Sequence, residues 1–276
     1  MKKVTVEVRR FWRRWRRELV MPERWDELDG RQFLAAVRLW SGTIPLGVFL
    51  CEVYGFKMWE VRRMDDYQRW VLLHGADWMQ DLRRPHNAFF LQRLPGSDLY
   101  SPGFRLKGCS LQQFMTFDTY YSQYVIAAKA GDSRASQFLD LFLGALYKGE
   151  EEVFTVSEGR QLNIPPERVK LVVMDEHLKV VGKVDDLTKQ AIVMNYVLIR
   201  SWLCKAFPQV FPEGDDDGVS NKAKHARPVD WLGVFDNFVG EHVAEMEKYQ
   251  AMGATDAFRV MNRRIREAKK RAARSK

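Results

Sequence analysis

A histidine beside carboxylates can serve a metal ion or a general acid–base pair, and the sequence has one such run, Asp175-Glu176-His177. Ligands of one ion, or a base and its orienting partner, must converge on one point. Adjacent residues diverge instead, so this run reads as a solvated turn, and a metal-dependent hydrolase built on it ranks last among the functions considered. The other histidines, His74, His86, His225 and His242, show no i,i+4 pairing. His242 follows Glu241 directly, and neighbours in sequence do not share a helix face. Asp65-Asp66 is a further acidic pair, Asp185-Asp186 reads as a helix start, and Glu150-Glu151-Glu152 as a solvated run. Asp215-Asp216-Asp217 reads as a loop, because a calcium loop needs wider alternation and a closing glutamate. No P-loop, GxGxxG, HExxH, GxSxG or kinase-like set is present. The expectation is a protein that is not an enzyme, with no catalytic residues, no metal and no cofactor.

Three widely spaced cysteines, Cys51, Cys109 and Cys204, form no CxxC pair, which points to reduced, buried thiols and a cytosolic setting. No apolar run approaches the roughly 18 residues of a membrane span. Only Leu19, Val20 and Met21 follow the basic stretch before Pro22, so no signal peptide is expected.

Charge is the more informative signal. Residues 1–17 carry a net +7 and residues 259–276 a net +8, which against +8 for the whole chain leaves −7 on the body. Basic ends on an acidic body suggest arms that reach for an anionic partner. The first arm sets Arg9, Arg10, Arg13, Arg14, Arg16 and Arg17 around Phe11, Trp12 and Trp15. As a helix it would gather Phe11, Trp12, Trp15 and Leu19 on one face. That suits an interfacial membrane helix, a nucleic-acid contact with stacking rings, or docking on the body with the arginines against its acidic surface. The second arm, with Arg263, Arg264, Arg266, Lys269, Lys270 and Arg271, is either a solvated tail or a phosphate-binding helix.

The elements that would position these groups are mostly helical. Val4, Val6 and Val8 alternate with polar residues and predict a short strand. Asp29 caps a helix to about Trp40, with Phe33 and Val37 on its stripe. Residues 44–61 fit a strand or an irregular buried helix, 62–82 one helix, and 83–109 a loop with a short strand at 88–91. Ser110, with Gln113 at the capping-box position, starts a helix over 111–129 bearing Phe114, Phe117, Tyr120, Tyr121 and Tyr124. A helix over 135–147 closes a helical hairpin with it. Val153, Phe154 and Val156 allow a strand, and Val169–Met174 a strand or half a helix. Helices over 187–207, 231–252 and 257–273 complete the chain. The expected fold is mainly α: a helical bundle-like body with a few short strands and extended basic N- and C-terminal arms. The expected divisions are an arm at 1–20, a core at 21–212, a polar linker at 213–228 and C-terminal helices at 229–276.

The run Met21-Pro22-Glu23-Arg24-Trp25-Asp26-Glu27-Leu28, the run Leu106-Lys107-Gly108-Cys109-Ser110-Leu111-Gln112-Gln113-Phe114 leading to Asp118-Thr119-Tyr120-Tyr121, the hairpin end at 143–147, and Lys205-Ala206-Phe207-Pro208-Gln209-Val210-Phe211-Pro212 carry a resemblance. Over most of residues 19–240 the chain resembles an uncharacterised family of phage and prophage proteins of Bacteroidetes, from tail or virion gene modules. The resemblance implies a structural or assembly role like that of a tail-assembly chaperone, and no catalytic residues. It implies other phage structural proteins or the chain itself as partners, and the bacterial host cytoplasm or the virion as location. On this reading Trp12, Trp15, Phe114, Phe117, Tyr120 and Tyr121 bind a partner. The alternative is a nucleic-acid-binding accessory protein that contacts DNA through the basic termini.

Overall fold

The computed structural model describes residues 2–10, 13–149, 166–212 and 229–274. In chain order these form β1 (Lys2–Arg10), β2 (Arg13–Met21), α1 (Gly30–Trp40), α2 (Leu46–Tyr54), α3 (Met58–Arg63), α4 (Asp66–His74), β3 (Leu99–Tyr100), α5 (Leu111–Ala130), α6 (Ala135–Leu146), β4 (Lys148–Gly149), α7 (Pro166–Val181), α8 (Asp186–Ala206), α9 (Trp231–Val239), α10 (Met246–Ala251) and α11 (Ala254–Arg274). The described chain is mainly helical, with two small antiparallel sheets, β1–β2 and β3–β4. No described helix is long and apolar enough to cross a membrane.

The structure corrects the helical reading of the first arm. Arg13–Met21 is a strand paired with β1, with Val4 opposite Leu19 and Val6 opposite Arg17. Apolar residues on the docked face of the hairpin, Val6, Leu19 and Met21, are buried. Burial of that face outweighs the helical period of the aromatics. The helix over 62–82 is interrupted, because Met64 takes extended backbone (ψ 142°) and Asp65 caps α4 by accepting a bond from the Gln68 amide at 2.7 Å. The helix over 231–252 is broken by Gly240, whose φ of +57° and ψ of −127° suit only a residue without a Cβ. The strand proposed at 88–91 is not formed; β3 instead pairs with β4. The candidate strand at 153–156 lies outside the described residues. Where the caps and stripes were strong, observation follows expectation: Asp29 and Gln32 form a reciprocal capping box on α1, and the Ser110 side chain accepts from the Gln113 amide at 3.1 Å.

Packing divides the chain into two compact units, Met1–His86 with Asp186–Trp202, and Asn87–Asp185 with Leu203–Lys276. The first four-fifths of α8 packs with the N-terminal unit rather than with its sequence neighbours. Among the bonds that hold that section, the His86 amide donates to the Leu198 carbonyl at 3.2 Å, and the Ser201 hydroxyl donates to the Arg83 carbonyl at 2.8 Å. The expected linker at 213–228 lies outside the described residues.

The first unit is centred on Trp25, which meets Phe33, Trp40 and Trp78 edge-on at ring distances of 5.7, 6.2 and 5.2 Å. The Trp78 indole N–H donates to the Pro22 carbonyl at 2.9 Å, so the chain entering α1 is tied to the segment after α4. The second unit is built on the α5–α6 hairpin. Phe114 from it meets Phe211, Trp231 and Phe258 from later in the chain, and Phe142 meets Phe117 and Tyr121 within it. Gly144 lets α7 approach α6 closely: a Cβ there would stand 3.2 Å from the Met174 sulfur.

Candidate nucleic-acid interface

The base of α11 is fixed by backbone bonds to the start of α5. The Leu111 amide donates to Met252 O at 2.7 Å, and the Ala254 amide donates to Cys109 O at 2.9 Å. Ala254, Ala257, Phe258 and Met261 then bury one side of its first two turns. Phe258 is held edge-on by Phe114 at 4.7 Å and Phe211 at 5.1 Å. Beyond Ile265 every described residue of the helix is exposed.

The cations of α11 fall into two groups. Arg264 and Lys269 serve the fold: the Arg264 guanidinium donates to Phe238 O at 2.9 Å and lies over the Phe238 ring, and Lys269 Nζ donates to Gln209 Oε1 at 2.7 Å. Arg259 pairs with Asp256 at 2.9 Å. Arg263, Arg266, Lys270, Arg271 and Arg274 are exposed, and among the described residues no carboxylate lies within ion-pair distance of them. Arg259, Arg263, Arg266, Lys270 and Arg274 recur at spacings of three and four, so they form one column on a helical face. At about 1.5 Å of rise per residue this column is about 22 Å long. The helix dipole accounts for cations in the last turn, such as Arg271 and Arg274, but fades within a turn. Arg263 and Arg266 lie too far from the helix end for that explanation.

In the N-terminal hairpin the expected arginines also separate. Arg16 pairs across the strands with Glu7 at 2.7 Å. Arg17 turns onto its own unit, reaching Glu60 at 3.0 Å and Gly55 O at 3.0 Å. Arg9, Arg10, Arg13 and Arg14 occupy the far end of the ribbon. Trp15 stands opposite Val8 in the register, and Trp12 lies outside the described residues.

The aromatic partner surface is corrected. Phe114 and Phe117 are fully buried and Tyr121 nearly so, because Phe142, Phe211, Trp231 and Phe258 cover them. Only Tyr120 keeps partial exposure. A different aromatic group is open in the first unit: Tyr67 is 72% and Trp70 54% exposed, their rings stack at 6.1 Å, and His74 meets Trp70 edge-on at 4.1 Å. The His74 imidazole bonds the Asp77 carboxylate at 2.7 Å. Tyr67 and Trp70 stand three apart on α4, a spacing that places them on one helix face.

The acidic candidates do not converge. His177 is buried with Nδ1 on the Gly144 carbonyl at 2.7 Å, while Asp175 and Glu176 are exposed and Glu176 pairs with Lys179 at 2.7 Å. That ion pair holds the Glu176 carboxyl below its usual range. Among the described residues no three His, Cys, Asp or Glu side chains are grouped to hold a metal ion. Burial pushes the Cys109 thiol up to about 12 and raises the Cys51 thiol as well, which leaves both poor nucleophiles at neutral pH. A shallow open groove beside α6 is lined by Ser136, Gln137, Asp140, Leu141 and Leu178, with one carboxylate among them.

Comparison of the chain with protein-family models, with curated proteins and with solved structures returns no match.

Proposed function

We propose that the chain is a nucleic-acid-binding accessory protein that grips the phosphate backbone through α11. The observation that carries this reading is the exposed column of cations from Arg263 to Arg274, set on an anchored helix and lacking carboxylate partners among the described residues. Like charges three and four apart disfavour a helix by a few tenths of a kcal/mol per pair. Phosphates relieve that repulsion and release counterions as they bind. The test is the variant R263Q/R266Q/K270Q/R271Q/R274Q, titrated against labelled single- and double-stranded DNA. Affinity at about 0.15 M salt is expected to fall at least about tenfold, and the log–log salt slope by about 0.9 for each duplex phosphate that is no longer neutralised. The melting temperature should hold, because these side chains touch little of the fold. Unchanged affinity and slope would remove the reading.

One observation favours a second reading, in which the chain is a phage-derived tail or virion assembly protein that works by protein–protein binding. Tyr67 and Trp70 form an exposed stacked pair of the kind enriched at interfaces. Light scattering should then show an oligomer that Y67A/W70A reduces to a monomer. A parent chain that is strictly monomeric and captures no tail or capsid component counts against it.

A further inference from the structure

The turn between β3 and α5 holds two non-glycine residues in the left-handed backbone region. Arg105 has φ +54° and ψ +40°, and Leu106 has φ +58°. L-residues rarely adopt this region, because the Cβ crowds the neighbouring carbonyl. Backbone bonds fix the turn: the Arg105 amide donates to Asn87 O at 2.7 Å, the Gly103 amide to Lys107 O at 2.9 Å and the Lys107 amide to Phe104 O at 3.2 Å. Leu106 is buried, and removal of its side chain from water accounts for one of the two strained positions. Arg105 has no such account. It is exposed, has no ion pair among the described residues, and its guanidinium lies over the Phe104 ring at 5.1 Å. A glycine, as at Gly108 with φ +78°, would adopt this conformation without strain.

Phe104 itself is 58% exposed, and Lys107 is exposed as well. The turn therefore presents an open ring together with two cations. It packs against α11, and the segment that follows it is tied to the base of that helix at Cys109 and Leu111. The turn and α11 belong to the same unit. An open ring near a cationic track is the combination that binds single strands: the cations follow the phosphates and the ring takes the face of a base. Every base has such a face. In a duplex its neighbours cover it, whereas an unpaired strand leaves it free to stack on an aromatic side chain. Strained backbone held in place by its surroundings is also a recurrent feature of ligand clamps.

We infer that Phe104, together with Arg105 and Lys107, is a stacking platform for a base of a single nucleic-acid strand whose phosphates continue onto the cations of α11. This rests on the reading of the chain as a nucleic-acid binder and names its substrate as an unpaired strand. The ring meets the base face and not the sugar, so DNA and RNA strands are both substrates.

The full-length chain and its variants F104L, F104W and R105Q/K107Q are titrated against a labelled DNA strand of about 15 nucleotides, an RNA strand of the same sequence and the DNA duplex, over a range of salt. The parent is expected to bind the two single strands to similar extents and the duplex more weakly. F104L should lower strand affinity by about fivefold to about 150-fold, the value of one stacked base. Its salt slope should not change, because the ring neutralises no phosphate. F104W keeps a stacking face and should bind as the parent does. In R105Q/K107Q the slope should fall by up to about 1.4, about 0.7 for each phosphate of a single strand. The melting temperature of F104L should hold, because the ring is mostly in solvent. Parent-like strand binding by F104L, with loss in the α11 variant, overturns the inference while the nucleic-acid reading stands. Equal or tighter binding of the duplex overturns it too. So does F104W binding as weakly as F104L, or a fall in the F104L melting temperature, which would make the ring structural. A parent chain that binds none of the probes removes both readings.

Discussion

Phe114→Ala is expected to destabilise the second unit by about 3–5 kcal/mol, the range for emptying a buried phenylalanine site. Phe114 is fully buried, and its ring is met edge-on by Phe117, Phe211, Trp231 and Phe258 at 5.1, 6.0, 5.4 and 4.7 Å. Edge-to-face pairs add about 0.5–1.5 kcal/mol beyond area burial, and one substitution removes four of them. The four neighbours come from different parts of the chain, so the cavity cannot close by moving one element. Phe258 belongs to α11, and Trp231 carries the indole N–H that donates to the buried Asp118 carboxylate at 2.7 Å. The loss should therefore reach the helix that bears the cations. Amide hydrogen exchange in urea would show reduced protection in α5 and at the base of α11. Tyr120→Ala on the same helix, at a half-buried position, should cost far less. A Phe114→Ala loss below about 1 kcal/mol, typical of surface substitutions, would mean that the cluster does not organise the unit.

That cluster also shows where sequence reasoning reached its limit. The stripe on 111–129 was legible, since Ser110 caps it and Phe114, Phe117 and Tyr121 recur at helical spacing. What covers the stripe was not, because Phe211, Trp231 and Phe258 lie about a hundred residues or more downstream and periodicity reports only local geometry. Four of its five aromatics were accordingly assigned to a partner, and the chain itself buries three of them, Phe114, Phe117 and Tyr121. The same limit explains β2: Arg13–Met21 lacks a clean alternation of apolar and polar residues, and its strand identity comes from pairing with β1 and from burial on the first unit. The strand at Val4–Val8, where alternation is clean, was legible. Local signals that break an element did show, such as Gly55 at φ +69° closing α2. The segment before it still left helix and strand open, because a short apolar run carries no period. At the candidate site the charges were fully legible, but their division was not. Nothing in the spacing marks Arg264 and Lys269 as held by Phe238 and Gln209, or Arg17 as facing inward.

Arg17 is where that division has the largest energetic consequence in the hairpin. Arg17→Ala is expected to destabilise the first unit by about 2–3 kcal/mol, well above the 0–1 kcal/mol of an exposed ion pair. The pair is asymmetric: the Glu60 side chain is 2% exposed, whereas that of Arg17 is 33% exposed. Removing the arginine leaves a carboxylate out of water with the Lys57 amide, at 2.6 Å, still donating to it. A single amide does not replace a guanidinium, and stranding a buried charge is the dominant loss. Arg17 also donates to Gly55 O at 3.0 Å and lies over the Phe56 ring at 5.4 Å, so Arg17→Lys, which lacks the planar fork, should fall between parent and alanine variant. Glu60→Gln should cost less than Arg17→Ala, because the partly exposed guanidinium can be hydrated when its partner is neutral. The double variant R17M/E60M should recover much of the loss, since neither charge is then left unpaired. A double-mutant cycle read by denaturant unfolding, with hydrogen exchange over β1 and β2, tests this directly. Equal losses in R17A and R17M/E60M would show that packing of the arginine stem, and not the stranded carboxylate, fixes the hairpin. A positive coupling energy would instead show that Arg17 fixes the hairpin by keeping the Glu60 carboxylate paired.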